Sequence, residues 1–230
     1  MIYIEMYGLP GAGKTTISIP VILKLKEKGY KVADLTDVYF RNCNKRSKFK
    51  VIIELLLTKN SYILFFSIAL YCLKFSQESG NLKFLFKLLF LVHQIIKTLD
   101  EGKYDLVLCE EGIIQYMTSL FFMSRMHDNE LLRKIMSRIT TKIHILAINC
   151  DIEIEESFKR ISKRGETSRR YSSKTSSPIL ISALKMKRKN LSIIAKYVPV
   201  VYKIQMKQDV DNNKKDLYNL VLKEIQQSEI

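Results

Sequence analysis

Three glycines, a lysine and two threonines near the start of the chain have the spacing of a phosphate-binding loop. The segment Gly8-Leu9-Pro10-Gly11-Ala12-Gly13-Lys14-Thr15-Thr16 contains the pattern G-x-x-x-x-G-K-[ST]. The glycines let the backbone wrap with its N–H groups inward, and those donors with the N-terminus of the next helix bind phosphate oxygens. Lys14 adds a positive charge at the β and γ phosphates, and the Thr15 hydroxyl can join Mg²⁺ coordination. We therefore expect a nucleotide site formed by Gly8, Pro10, Gly11, Ala12, Gly13, Lys14, Thr15 and Thr16.

Two adjacent carboxylates, Glu110 and Glu111, follow an apolar stretch in the middle of the chain. An acid at the end of an apolar strand lies beside the phosphate loop, where it can hold Mg²⁺ or take a proton from an acceptor hydroxyl. We predict the metal or base role for Glu110 and a place on the substrate side for Glu111. A solvated start of a loop is the alternative. Gln115, about one helical turn later, is a candidate for contact with a base or a sugar hydroxyl.

Positive charge is concentrated late in the chain, where residues 159–189 hold eleven lysines and arginines and one acid. Arg160 and Arg164 share a helix face, and Arg169 follows in a loop rich in serine and threonine. Guanidinium groups bind phosphate oxygens through paired hydrogen bonds, so these three predict a lid at about residues 160–177 that closes over ATP. The alternative is a solvated basic face, which we favour for residues 185–189.

Short apolar runs alternate with helical patterns along the chain, as a parallel sheet covered on both faces requires. Strands are predicted at residues 2–7, 31–35, 104–109, 142–149 and 198–204. Helices are predicted after the phosphate loop as far as Gly29, at 82–99, 115–125, 128–139 and 152–163, from Pro178 onward, and at 214–227. Asp151 is expected to cap the helix at 152–163. The sequence therefore predicts one α/β domain over residues 1–230.

The composition excludes several classes of protein. Hydrophobic residues make up 47% of the 230 residues, and the charged fraction of 27% argues against a disordered chain. The 8 glycines and 4 prolines are too few for a linker-dominated chain. The formal net charge of +15 attracts phosphates, nucleic acid or anionic lipid. Because no base-stacking motif is present, we expect a small phosphate-bearing ligand and rank nucleic acid low as a partner.

The cysteines and the first residues indicate an intracellular protein. The four cysteines are Cys43, Cys72, Cys109 and Cys150. None has metal-ligand spacing, and the last two close apolar runs, which suits buried reduced thiols. The first residues lack the basic region of a signal peptide. The longest uncharged stretch, residues 60–73, is shorter than the roughly 18 residues of a membrane span. We therefore expect a cytoplasmic protein, with peripheral membrane contact as an alternative.

In order, these segments resemble the P-loop nucleoside and nucleotide kinase group, and within it the thymidylate kinase-like proteins. The matching motifs are GLPGAGKTT, then CEEGIIQ, then DIEIEESFKRISKRGETSRR with the pattern R-x-x-x-R-G. The resemblance implies a P-loop fold with a five-stranded parallel sheet in a three-layer sandwich, and transfer of the ATP γ-phosphoryl group with Mg²⁺.

Two departures from the thymidylate kinase pattern bear on the acceptor. Those kinases carry Asp-Arg where this chain has Glu110-Glu111, and the segment after the second strand differs. Here Asp37 and Arg41 are the candidates for contact with the acceptor. The acceptor is therefore expected to be a nucleoside, a nucleotide or another small hydroxyl or phosphate compound, and not necessarily thymidylate.

A helical insert is predicted at about residues 47–100, and it is unusually apolar. It could be ordinary core, an acceptor pocket, a homodimer face or a membrane-contact surface. The alternative to a kinase is accordingly a nucleotide-binding regulatory or membrane-surface protein with little turnover.

Overall fold

The structure, a computed structural model, describes residues 2–34, 80–122, 129–163, 177–206 and 209–228. These residues form five strands and seven helices, which are numbered here in chain order. The strands are β1 (Ile2–Gly8), β2 (Val32–Asp34), β3 (Leu106–Cys109), β4 (Ile145–Asp151) and β5 (Val200–Gln205). The helices are α1 (Lys14–Glu27), α2 (Gly80–Glu101), α3 (Ile113–Phe122), α4 (Asn129–Thr140), α5 (Ile154–Lys163), α6 (Ser177–Ala195) and α7 (Val210–Ser228).

The five strands form one sheet in the order β2-β3-β1-β4-β5, and every neighbouring pair is parallel. β1 lies at the centre, with Glu5 opposite Cys109 of β3 and opposite Ala147 of β4. All residues of β1 after the first are buried, as expected for a central strand covered on both faces. The C-terminal ends of β1 and β3 therefore lie side by side, and the sequence places its glycine loop and its carboxylates there.

Helices pack on the sheet in two groups. α1 packs against α7, whereas α3 packs against both α2 and α6. Helices α1, α3, α6 and α7 also contact β1. The core consists of the aliphatic side chains of β1, β3 and β4 with the inward faces of these helices. The predicted alternation of strands and helices, and the all-parallel sheet, are confirmed.

Most predicted boundaries agree with the structure, but the predicted cap at Asp151 is wrong. β4 continues to Asp151, and α5 begins only at Ile154. The Asp151 carboxylate instead contacts Lys203 at 2.9 Å, Arg188 at 3.4 Å and Gln205 at 3.1 Å. It therefore ties the end of β4 to β5 and α6.

The prediction of a solvated basic face at residues 185–189 is also wrong in part. The Lys187 side chain is only 7% exposed. Arg188 donates a hydrogen bond to the carbonyl of Ile152 and pairs with Asp151. Lys185 and Lys189 are exposed, as expected.

Much of the predicted insert and most of the predicted lid lie outside the described residues. Of the insert, α2 is described, and its residues from 88 to 95 are largely buried in the core. Within the part of the chain that the structure describes, no helix is long and apolar enough to cross a bilayer.

Candidate functional site

The phosphate-loop segment connects β1 to α1 as a tight turn. Gly8, Gly11 and Gly13 have φ values of 155°, 76° and 87°, in the region that side-chain-bearing residues avoid. Gly13 precedes α1, no side chain caps the helix, and its first turn holds no acidic residue. The first amides of a helix have no partner within the helix, so this N-terminus can receive an anion.

The glycines also allow the loop to pack closely against its neighbours. A Cβ at Gly8 would lie 2.5 Å from the Cys150 carbonyl oxygen of β4. A Cβ at Gly11 would lie 3.2 Å from the Cβ of Arg160 on α5. Glycine is therefore needed for the turn and for the contact with β4.

The carboxylate of Glu110 joins the end of β3 to the start of α1. It accepts hydrogen bonds from the hydroxyls of Thr15 and Ser18. Ser18 is fully buried, one turn after Thr15, and its hydroxyl also lies 3.4 Å from the Thr15 carbonyl oxygen. The pairing places a hydroxyl and a carboxylate oxygen together at the mouth of the loop.

This oxygen pair fits the donor set that Mg²⁺ takes in nucleotide sites. Mg²⁺ prefers oxygen ligands and is usually held by one or two carboxylates together with substrate phosphates and waters. Thr15 and Glu110 match that chemistry. Across the described ranges no group of three or more His, Cys, Asp and Glu side chains could hold an ion on its own. The remaining ligands would therefore come from a nucleotide and water.

Helix α5 supports the outer side of the loop. The hydroxyl of Ser157, which is fully buried, donates a hydrogen bond to the Pro10 carbonyl oxygen at 2.7 Å. Arg160 Nη1 lies 3.4 Å from the Gly11 carbonyl oxygen, and its Nε donates to Glu156 at 2.8 Å. The Arg160 guanidinium lowers the pKa of Glu156. One of the predicted lid arginines is therefore held at the phosphate loop by an ion pair.

The two described cysteines, Cys109 and Cys150, are buried and form no disulfide, as the sequence predicts. Cys150 lies opposite Gly8 on the neighbouring strand β4. Burial raises the pKa of its thiol to about 12, while the charge of Lys14 opposes the shift. A thiol with so high a pKa is protonated at neutral pH and is a poor nucleophile. Cys150 therefore serves the packing of the loop.

Three comparisons with known proteins bear on this arrangement. No protein-family model matches the sequence. A 45-residue segment is 47% identical to nucleoside-triphosphatase THEP1 of Methanocaldococcus jannaschii, and it covers 20% of this chain and 26% of that protein. Among solved structures, deoxyadenosine kinase from M. mycoides, with the products dCMP and a flexible dCDP bound, superposes with a TM-score of 0.50. It is 14% identical, and the match covers 96% of this chain and 100% of that one.

This chain has the P-loop NTPase fold. The parallel sheet, its strand order and the glycine loop between β1 and α1 carry that assignment together with the superposition. The short match to a nucleoside-triphosphatase, which reaches about a quarter of that protein, agrees with it.

Four further candidate residues are described, two in the first turn of α1, one after β3 and one in the first turn of α3. Lys14 is half-buried, and Thr16 and Glu111 are exposed. The Gln115 side chain is only 8% exposed, and its Oε1 has no hydrogen-bond partner. A buried amide oxygen without a partner carries an energetic cost that a ligand or water would relieve.

Four candidate residues lie outside the described residues. They are the acceptor candidates Asp37 and Arg41 and the lid candidates Arg164 and Arg169. Their roles stay predictions.

Two hydroxyls that our sequence reasoning missed contribute to the site. Ser18 donates a hydrogen bond to the Glu110 carboxylate, and Ser157 donates one to the Pro10 carbonyl oxygen. A serine three residues after Thr15, on the same helix face, is a signal that could have identified Ser18. Ser157 had no such signal, because its partner Pro10 is 147 positions away.

Proposed function

We propose that this protein is a P-loop kinase that transfers the γ-phosphoryl group of ATP to a nucleoside, a nucleotide or another small hydroxyl or phosphate acceptor. The observation that carries the proposal is the contact of Glu110 with Thr15 and Ser18 at the end of the glycine loop. It brings the Thr15 hydroxyl and a carboxylate together at the loop, as a magnesium-nucleotide site requires. The fold shared with a deoxyadenosine kinase supports the same reaction class.

In the proposed reaction the phosphate loop holds the donor in place. The loop amides and the N-terminus of α1 receive the phosphate oxygens, and Lys14 offsets their negative charge. The bond between the γ-phosphorus and the β-γ bridging oxygen breaks, and a bond from that phosphorus to the acceptor oxygen forms. ADP leaves with the electron pair of the broken bond.

Glu110 and Glu111 have separate roles in the proposed reaction. Thr15 and Glu110 would hold Mg²⁺, which when bound neutralises charge on the β and γ phosphates. Glu111 lies at the exposed end of the same turn, where it can accept the proton of an acceptor hydroxyl. For a phosphate acceptor no such proton transfer is needed, and a carboxylate facing the acceptor would repel it. The position of Glu111 therefore favours a hydroxyl acceptor.

Arg160 is the described arginine that lies against the phosphate loop, and in the proposal it stabilises the transferring group. Its guanidinium lies against the loop, with Glu156 fixing its orientation. Arginine contributes strongly to phosphoryl transfer because its donors match the oxygens of the transferring group. In the proposal, Arg164 and Arg169 join it when the acceptor and donor are bound.

A second candidate function is nucleotide hydrolysis or a nucleotide-dependent switch, without a dedicated acceptor. It is favoured by the short match to a nucleoside-triphosphatase.

A role at an anionic membrane surface would belong to the same candidate. On α1 the exposed Ile19 and Leu23 lie near the exposed Lys24 and Lys26, and such a surface suits contact with anionic lipid.

The distinguishing experiment measures ADP release with Mg²⁺ and ATP, alone and with a panel of nucleosides, nucleotides and sugars. A kinase shows release that depends on one class of acceptor, and phosphorylated acceptor appears in equal amount. Lys14→Ala should abolish it, whereas Lys26→Ala, a lysine exposed on the same helix, should leave it unchanged.

The same experiment can also contradict the kinase. Acceptor-independent release, with sedimentation on vesicles that contain anionic lipid, would favour the second candidate and contradict the kinase.

A further inference from the structure

A fully buried glutamate lies in the middle of β1 and is not accounted for by the site described above. Glu5 belongs to the central strand, with no exposed surface. We propose that Glu5 is a positioning residue, whose carboxylate holds the first turn of α3 and thereby fixes the backbone that carries Glu110 and Glu111. The inference rests on the proposed function, because it concerns the placement of the metal-binding and acceptor carboxylates.

The carboxylate of Glu5 points at the N-terminus of α3. Its Oε1 accepts the backbone N–H of Gln115 at 3.1 Å, and the amides of Ile113 and Ile114 also face it. On the other side, the Tyr3 hydroxyl lies 3.4 Å from Oε2. A negative charge at a helix N-terminus satisfies amides that have no partner within the helix. Glu5 thus caps α3 from another strand.

The chain between β3 and α3 passes directly over this carboxylate. A Cβ added at Gly112 would lie 2.4 Å from Glu5 Cδ and 2.5 Å from the Tyr3 hydroxyl. Gly112 is needed here for space, since its φ does not lie in the left-handed region. The turn that carries Glu110 and Glu111 is therefore fitted against Glu5.

The cost of burying Glu5 argues that it has a function. Burial raises the pKa of Glu5 to about 7, against the stabilising effect of the α3 amides and the Tyr3 hydroxyl. Within the described part of the chain, the titratable groups that interact with it are Tyr3 and Tyr7 of β1, and Cys109 lies opposite it on β3. An apolar residue would cost less at this position, because buried carboxylates lose hydration that hydrogen bonds only partly replace.

The acidic turn is thus held at two points. Thr15 and Ser18 hold the Glu110 carboxylate, and Glu5 holds the backbone that follows Glu111. The hydrogen bonds from Thr15 and Ser18 orient the side chain of Glu110. The contact with Glu5 fixes the backbone positions of both Glu110 and Glu111. Loss of Glu5 should therefore disturb metal-dependent steps and leave the phosphate loop intact.

The test compares wild type with Glu5→Gln, which keeps the shape and removes the charge. We expect kcat to fall about 10-fold and the Mg²⁺ concentration for half-maximal turnover to rise several-fold, as is typical for residues that orient a metal ligand. The affinity for ATP in EDTA, measured by calorimetry, should stay within about 2-fold because the loop is unchanged. Amide hydrogen exchange at residues 113–115 should become faster.

One further variant should reproduce the effect of Glu5→Gln, and two should not. Gly112→Ala should reproduce the raised Mg²⁺ requirement, because its new methyl group displaces the Glu5 carboxylate. Tyr3→Phe should change it little, because the hydroxyl contact is long. Glu27→Gln removes an exposed carboxylate on α1 and should resemble wild type. If Glu5→Gln does not fold, the same assays are applied to Glu5→Asp. This variant keeps the charge but withdraws it from the α3 amides.

The outcomes separate this inference from the proposed function. A wild-type protein that turns over, with Glu5→Gln showing the same Mg²⁺ requirement and the same exchange at 113–115, would overturn the positioning role alone. A lower melting temperature with an unchanged Mg²⁺ requirement would also overturn it, because that result indicates a purely structural role. Absence of Mg²⁺–ATP turnover in the wild type with every nucleoside, nucleotide and sugar of the acceptor panel would contradict the proposed function itself.

Discussion

The hydroxyl of Thr15 donates a hydrogen bond to the carboxylate of Glu110, a residue 95 positions later in the chain. The two side chains come from the first turn of α1 and from the end of β3, which are brought together because β1 and β3 are neighbouring parallel strands. The contact links the loop that would hold the phosphates to the carboxylate that would complete the metal site. In the proposed function the two side chains act as a unit.

The first prediction concerns that unit. Thr15→Ala and Glu110→Gln should each lower Mg²⁺-dependent turnover about 100-fold, because each removes an oxygen from the metal site. The double variant should be little worse than either single variant, since effects within one unit are not additive. Steady-state kinetics on the three proteins checks this, and losses that multiply would contradict it. Ser18→Ala, which removes the second donor to Glu110, should cost about 10-fold.

The second prediction concerns the close contact of Gly8 with β4. Gly8→Ala should lower the free energy of unfolding by more than about 3 kcal/mol, because the new methyl group meets the Cys150 carbonyl oxygen. Gly29→Ala is the matched control, since Gly29 also has a positive φ but nothing lies within 4 Å of its Cβ position. That variant should cost only about 1 kcal/mol. Urea unfolding measures both, and equal costs would refute the contact.

The third prediction is the pH dependence that Glu5 gives to stability. Its pKa is raised from 4.5 to about 7 in the folded protein, so the folded state binds more protons than the unfolded state between these pH values. The stability that Glu5 contributes is therefore present below about pH 4.5 and is lost as the pH rises to about 7.

Comparison with Glu5→Gln isolates this effect from other titrating groups. On going from pH 8 to pH 5, wild type should gain about 2 kcal/mol of unfolding free energy relative to the variant. Chemical denaturation at the two pH values measures the difference. A difference that does not change, or that changes in the opposite direction, would show that the Glu5 pKa is not raised.

The parts of the site that could be predicted from the sequence are those with local signals. The phosphate loop follows a fixed spacing, and the strand before Glu110 is a run of apolar residues, so both could be placed without a structure. Parallel pairing of β1 and β3 then brings them together. The all-parallel order follows from the alternation of strands and helices, since each crossover needs a helix.

The parts that could not be predicted depend on distant partners. Glu5 is a charged residue in a strand, and its partner Gln115 is 110 positions away, so nothing near it signals a buried carboxylate. Asp151 resembles a helix cap, but the pairing of β4 with β5 extends the strand through it. Lys187 lies in a basic run that predicts solvent exposure, whereas the packing of α6 buries it.

The fourth prediction concerns Arg160. Arg160→Ala should lower kcat about 100-fold or more, because in the proposed reaction its guanidinium stabilises the charge of the transferring phosphoryl group. Glu156→Gln removes only the ion-pair partner and should have an effect of a few-fold. Arg133→Ala, which removes an exposed arginine on α4, serves as the control. Near-normal kcat in Arg160→Ala would assign Arg160 to the packing of the loop.

The most direct test of the central claim is calorimetric titration of the folded protein with Mg²⁺ and ATP or GTP. We expect at least one of these nucleotides to bind to the wild type, binding to be lost in Lys14→Ala, and binding to be unchanged in Lys26→Ala. If neither nucleotide binds to the folded wild-type protein, or if Lys14→Ala binds as well as wild type, the loop is not a nucleotide site and the account is contradicted.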